Sequence, residues 1–231
     1  MIGFIDSRPF PAMLAEVHVP GVTMKYAIPA AIAAAVLALP AAAQVGPSYD
    51  CAKAQTAVEH AICNDPDLSF LDREIAALYQ AAQAGPDMNA VRQSELTARQ
   101  RAWIDSRNAC ASSPDLTACV TAIYGQRILE LKSHYEGASG DGGVASFGPV
   151  TFVCEAPVHG MTAVYLNGPV TRWVVVSWDD SAVTLVNAVS DDGERYAPSV
   201  FGDPFEYWTS HDEAIFTIPG QPAVGCVQPQ G

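Results

Sequence analysis

Basic residues are scarce in this chain. Lys and Arg total 12 against 25 Asp and Glu, a formal net charge of −13 over 231 residues. Nucleic-acid binding depends on Lys and Arg neutralising phosphates, so this balance argues against it. It argues equally against an anionic membrane surface. Ligand pairs for a metal are lacking too. No Cys-x2-Cys occurs and the histidines are scattered, which disfavours a zinc site. There is no Gly-x-Ser-x-Gly, no phosphate loop and no His-Glu-x-x-His segment. Glu59 and His60 are adjacent, so on a helix their side chains diverge by about 100°. Nothing selects a carboxylate pair, and neither an enzyme nor a cofactor is indicated.

An apolar run long enough to span a bilayer, about 20 residues, is also missing at the N-terminus. What stands there is shorter, from Ile28 to Leu39, preceded by Lys25 and followed by Ala41-Ala42-Ala43. A basic residue, a short apolar core and a small-residue cut site predict a secretory signal peptide, cleaved after Ala43. The residue directly after the cut is Gln44 rather than Cys, which disfavours a lipid anchor. Residues 1–23 precede the start-like pair Met24-Lys25 and read as an extension or a misassigned start. Residues 1–43 are thus extension plus signal peptide. The mature chain is expected in the periplasm or secreted, without stable membrane insertion.

Six cysteines follow the cut: Cys51, Cys63, Cys110, Cys119, Cys154 and Cys226. An even count in an exported chain predicts disulfides.

The hydrophobic pattern changes period along the chain. Leu68, Leu71, Ile75, Leu78, Tyr79 and Ala82 fall on one helical face. Asp65-Pro66 or Asp67 starts that helix and Gly85-Pro86 ends it. A second helix is predicted from about Met88 to Arg107, and its Trp103 reads as core. A third helix carries Leu116, Cys119, Val120, Ile123, Tyr124, Ile128 and Leu131, with Ser113-Pro114 as cap and first residue. A short helix from Lys53 to Ile62 precedes all three. Gly137 to Gly143 has the composition of a flexible linker. Beyond it come short strands: 151–154, 162–166, 172–178, 182–186, 206–209, 214–218 and 223–227. Gly, Asp and Pro turns join them, the pattern of a small antiparallel barrel or sandwich. The fold class is therefore α+β as two separate domains, a small disulfide-bonded helical bundle followed by a small antiparallel β-barrel. The predicted bounds are 48–135 for the helical domain, 136–149 for a Gly-rich linker and 150–231 for the β domain. Residues 44–149 hold 8 basic and 13 acidic groups, and residues 150–231 hold only Arg172 and Arg195 against 10 acids, so the β half is the more acidic.

The helical half reads Asp50-Cys51-Ala52-Lys53-Ala54, then Val58-Glu59-His60-Ala61-Ile62-Cys63, Leu71-Asp72, Gln100-Arg101-Ala102-Trp103-Ile104, Arg107-Asn108-Ala109-Cys110, Cys119 and Tyr124-Gly125-Gln126-Arg127-Ile128. Over roughly residues 48–133 this resembles the four-cysteine domain of LprI-type lysozyme inhibitors. The β half carries Phe152-Val153-Cys154, Val164-Tyr165-Leu166-Asn167, Ser190-Asp191-Asp192-Gly193-Glu194-Arg195-Tyr196, Tyr207-Trp208-Thr209-Ser210-His211-Asp212-Glu213-Ala214 and Cys226. In order and spacing these resemble the family called membrane-bound lysozyme inhibitor of c-type lysozyme. That resemblance implies a small antiparallel barrel with its first and last Cys joined. It also implies two loops that enter the lysozyme cleft, one bearing a Ser before a Gly and the other a Lys after Trp-Thr. Here Asp192 holds the Ser place, Ser210 the Lys place and His211 the place of the next Gly. The loop between the two segments is also longer, through Pro198 to Pro204.

The departures bear on charge. Lysozyme chemistry uses one protonated and one ionised carboxyl group. A Lys pairs with such a site, whereas Asp192 repels it unless a proton is shared. A histidine at 211 supplies a cation at mildly acidic pH, and Arg195 is a second candidate that alternation would direct to the other face. Asp191 and Asp192 before Gly193 also read simply as turn formers, and Trp173, Trp178, Tyr196 and Trp208 as core and rim aromatics. The candidate partner-binding residues are Asp192, Gly193, Arg195, Tyr196, Ser210 and His211. The expected partner is a c-type lysozyme, a basic protein that an acidic barrel attracts. The alternative is an envelope scaffold that kept the fold and lost inhibition.

The resemblance implies Cys154–Cys226. For the helical half, Cys63–Cys110 and Cys51–Cys119 are expected. The reasoning is that the long helices are antiparallel neighbours, which returns Cys110 beside Cys63 and leaves Cys51 for Cys119.

Overall fold

A computed structural model describes residues 46–140, 146–198 and 205–229. The expected signal peptide, its cut site and most of the long loop through 198–204 lie outside these residues. The described residues all fall within one compact unit.

Helix α1 (Ala57–Asn64) starts at a capping box. Thr56 accepts from the Glu59 N–H, and the Glu59 carboxylate accepts from the Thr56 N–H. A 3-10 turn at Cys51–Lys53 precedes it. Helix α2 (Pro66–Ala84) starts at Asp65, whose carboxylate accepts from the N–H groups of Asp67 and Leu68, with Pro66 in the first turn. It ends at Gly85. Helix α3 (Ala90–Ala109) is capped by Asn89, and α4 (Leu116–His134) by Asp115 rather than by Ser113. Leu68, Leu71, Ile75, Leu78 and Ala82 of α2 are buried as the spacing predicted, and Val120, Tyr124, Ile128 and Leu131 of α4 join them. Helix α4 also buries Gly125, Arg127, Leu129 and Lys132. It packs on α2 on one side and on the β half on another, so its apolar stripe is not confined to one face.

The first residues of the expected flexible linker are structured. Residues Glu136–Ser139 form a turn of helix, α5, packed on α2 and α4. A Cβ on Gly137 would meet the Ala81 carbonyl oxygen at 2.2 Å and the Gly85 Cα at 2.6 Å. Glycine is there for close approach of two backbones rather than for flexibility. Strand β1 already starts at Ser146.

Eight antiparallel strands close into a barrel in sequence order, β1-β2-β3-β4-β5-β6-β7-β8. They are β1 Ser146–Cys154, β2 Gly160–Asn167, β3 Arg172–Trp178, β4 Ser181–Ala188, β5 Glu194–Ala197, β6 Glu206–Ser210, β7 Glu213–Thr217 and β8 Val224–Val227. Strand β5 was absent from the sequence reading. Its four residues, two of them charged, give too short an alternation to register. The barrel interior holds Phe152, Ala163, Val174, Val176, Leu185, Tyr196, Tyr207 and Phe216. Alternation sends Val164, Leu166, Trp173 and Val175 outward from β2 and β3, where they join the helical core.

Two of the three expected disulfides are corrected. The bonds are Cys51–Cys63, Cys110–Cys119 and Cys154–Cys226. The expected Cys63–Cys110 and Cys51–Cys119 assumed that α2 and α3 lie side by side. Instead α4 is the helix that packs along α2, and α3 rests on α4. Cys110 therefore meets Cys119 across the turn between α3 and α4, and Cys51 meets Cys63 across α1. The third bond joins residues directly opposed in the β1–β8 pair.

Candidate functional site at the barrel mouth

Three connections meet at one end of the barrel: β2–β3 (168–171), β4–β5 (189–193) and the two-residue β6–β7 turn His211-Asp212. The second and third of them border an open cavity of about 550 Å³. Asp192, Gly193, Tyr196, Ser210 and His211 all line it. Five of the six residues singled out from the sequence are thus brought to one place, although nearly 20 residues separate Asp192 from His211.

The sixth, Arg195, is directed elsewhere. Its guanidinium pairs with Glu206 at 2.7 Å on the outside of the barrel, and it does not line the cavity. Hydrogen bonding to Glu206 holds its pKa above the usual Arg value. Tyr196, its neighbour, points inward and is 2% exposed.

The β4–β5 loop is pinned through one carbonyl. Asp192 O accepts from Trp208 Nε1 at 2.8 Å and from Ser190 Oγ at 2.6 Å. Gly193 follows at φ +62, and a Cβ there would meet Thr209 O at 2.5 Å and the Trp208 ring at 3.1 Å. Glycine is required at this position on both counts. The Asp192 carboxylate accepts no hydrogen bond among the described residues and stands exposed at the rim. Across the mouth, His211 occupies the first turn position at φ 55, a left-handed conformation that glycine adopts more readily. Its Nδ1 lies 3.1 Å from Ser210 Oγ, and its carbonyl accepts from Gln228 Nε2.

Tyr165 and Tyr196 line the cavity, and the buried Tyr207 packs against both. Tyr165, Tyr196 and Tyr207 cluster with ring centroids 6.1 to 6.3 Å apart. The hydroxyls of Tyr165 and Tyr207 lie 2.6 Å apart. Burial, above all, raises the pKa of all three phenols, so they stay neutral hydrogen-bonding groups. The Tyr196 hydroxyl donates to Glu194 Oε2 at 2.7 Å.

Several lining residues had not been singled out: Phe147, Tyr165, Asn167, Glu194, Thr209 and Gln228. Glu194 was within reach of period-two alternation, since it shares a face with Tyr196. Gln228 had no local signal, because it reaches the mouth only through barrel closure. Among the described residues no group of three or more His, Cys, Asp or Glu is placed to hold a metal ion.

Both halves match lysozyme-inhibitor families. Residues 50–131 match the family described as lysozyme inhibitor LprI. Residues 152–224 match membrane-bound lysozyme-inhibitor of c-type lysozyme. Among individual proteins, the chain is similar to lipoprotein LprI of Mycobacterium tuberculosis and of Mycobacterium bovis. Each is 29% identical over 175 residues, which is 76% of this chain and 81% of the relative. An alignment of that length takes in sequence from both halves. The LprI-like region spans α1 to most of α4 with two disulfides, and the second family's region runs from the end of β1 to the start of β8 and takes in all of the mouth except Phe147, Val150 and Gln228.

Proposed function

We propose that this chain binds and inhibits a c-type lysozyme, with the loops at 190–196 and 208–213 set against the enzyme's cleft. The observation that carries the reading is the meeting of these two segments around one cavity, in a barrel matched by a family of c-type lysozyme inhibitors. The acidic β half supports a basic partner, because charge of opposite sign speeds encounter. Export to the cell envelope agrees with the lipoprotein relatives. No helix among the described residues is long and apolar enough to cross a membrane.

The rim chemistry sets the strength of the contact. Asp192 presents a carboxylate where the family resemblance implies a hydroxyl, and Ser210 a hydroxyl where it implies a Lys. Both changes remove attraction for a carboxylate-bearing cleft. A close charged pair at an interface contributes a few kcal/mol, and each ~1.4 kcal/mol is tenfold in affinity. Titrating the mature chain against a c-type lysozyme and following residual activity is the direct test. Weak inhibition is expected, with at least tenfold (about 1.4 kcal/mol) tighter binding by the double variant Asp192→Ser, Ser210→Lys. No inhibition by either protein refutes the reading. Inhibition by the double variant alone supports the second reading, favoured by the unpartnered Asp192 carboxylate: an envelope module that kept the fold and lost the inhibitory contact.

A further inference from the structure

The helical half touches the barrel at the same end as the mouth. Asp67, in the first turn of α2, accepts through Oδ1 from the N–H groups of Val170 and Thr171 at 3.0 and 3.3 Å. These two amides belong to the β2–β3 turn. The turn is tight, since a Cβ on Gly168 would meet Thr171 O and the Trp173 ring, each at 2.6 Å. Trp173 itself is 4% exposed and packs into the helical core. The turn is thus held at its backbone by a carboxylate and at its following aromatic by packing, both from the helical side.

Arg172 lies between those two holds. Its guanidinium donates to Glu194 Oε1 and to Asn187 Oδ1, both at 2.9 Å. Asn187 in turn donates to the Arg195 carbonyl at 3.3 Å. Glu194 opens β5 directly after Gly193, lines the mouth, and takes the Tyr196 hydroxyl on its other oxygen. Hydrogen bonds joined by the covalent backbone from Thr171 to Arg172 therefore run from α2, through the β2–β3 turn, to the strand that carries the 190–193 loop.

We propose that Asp67 is a positioning residue for the barrel mouth: the helical half sets the place of the 190–193 loop through the Asp67–turn–Arg172–Glu194 relay. The inference rests on the lysozyme-binding reading for its effect on affinity, while its structural claim concerns the unbound protein alone. Asp67 touches no partner. It fixes the turn that aims Arg172, and Arg172 fixes the carboxylate next to Gly193. Coupling carried by a shared network shows as non-additivity between its members.

The test uses the full mature chain with Asp67→Ala, Asp67→Asn, Arg172→Met and the double variant Asp67→Ala with Arg172→Met. Two quantities are read: the amide NMR position of Gly193 in the unbound protein, and the inhibition constant against a c-type lysozyme. Asp67→Ala is expected to shift the Gly193 amide and to weaken inhibition by roughly 3- to 10-fold. Asp67→Asn keeps an acceptor oxygen and should restore both. The double variant should be no worse than Arg172→Met alone. A Gly193 amide unmoved by Asp67→Ala in a folded protein overturns the relay, as does additivity of the two changes. If the unmodified chain fails to inhibit, the lysozyme reading falls, and the Gly193 amide still decides the relay. Should Asp67→Ala not fold, Asp67→Ser removes the carboxylate in its place, and a Gly193 amide unmoved by it overturns the relay.

Discussion

At Gly193 the demands of backbone and neighbour coincide. The residue sits at φ +62, and any side chain would run into the Thr209 carbonyl and the Trp208 ring. A non-glycine residue in the left-handed region costs about 1–2 kcal/mol before any clash is counted. Gly193→Ala should therefore lower stability by at least that much, read by denaturant unfolding, and should loosen the Trp208–Asp192 hydrogen bond that pins the loop. A wild-type unfolding midpoint for this variant would contradict the argument. His211 shows the opposite choice: a left-handed position filled by a residue with a side chain, so backbone ease is given up and an imidazole is set at the rim. Both positions were legible in the sequence, Gly193 from the Asp-Asp-Gly turn and His211 from its place after Ser210. Arg195 was the residue whose role alternation already cast in doubt, and its pairing with Glu206 removes it from the mouth.

Within the elements, the periods of 3.6 and 2 were enough to locate α2, α4 and most strands, because each buries one side against a core. They failed where burial has two sides or the segment is short. Helix α4 buries residues around much of its circumference, and β5 is only four residues long. Disulfide pairing failed for a related reason. Periodicity says which face is buried but not which helix covers it, and the helix along α2 proved to be α4. The strands that form the mouth carry a further consequence of burial. Tyr165, Tyr196 and Tyr207 have pKa values raised above the ordinary 10.0, chiefly by burial. A raised pKa in the fold means stability that is complete below the unfolded phenol value and is lost as pH climbs beyond it. The barrel should hold its far-ultraviolet signal up to about pH 10 and unfold at more alkaline pH, with phenolate absorbance at 295 nm rising in step with unfolding. Phenolate formation in a barrel that remains folded would contradict the assignment.

Over the whole molecule, the outward faces of β2 and β3 matter most. Val164, Leu166, Trp173 and Val175 are each at most 4% exposed and lie in the same cluster as the helical core. Gly125 of α4 comes so close that a Cβ there would meet Thr184 Oγ1 at 2.6 Å. Removing the helices would expose side chains each worth about 1.5–3 kcal/mol of burial. A barrel expressed alone from residue 146 onward should unfold at a distinctly lower temperature than the full chain, or aggregate. An unchanged melting temperature would show the helical cover to be dispensable. The Gly-rich composition around 137–143 had suggested freely jointed parts. The structure instead anchors Ser146 to the buried Glu74 carboxylate and the Gly140 carbonyl to the Lys132 ammonium.

The spans of the three disulfides differ sharply, at 12, 9 and 72 residues. A polypeptide threaded through a secretion pore N-terminus first releases Cys51 and Cys63 almost together, and Cys110 and Cys119 soon after. For a chain exported in that way, both short-span bonds join cysteines that emerge close together, whereas Cys154 has to await Cys226. Local pairing in the helical half would then leave Cys226 a single candidate, and the bond that locks the barrel would be made last.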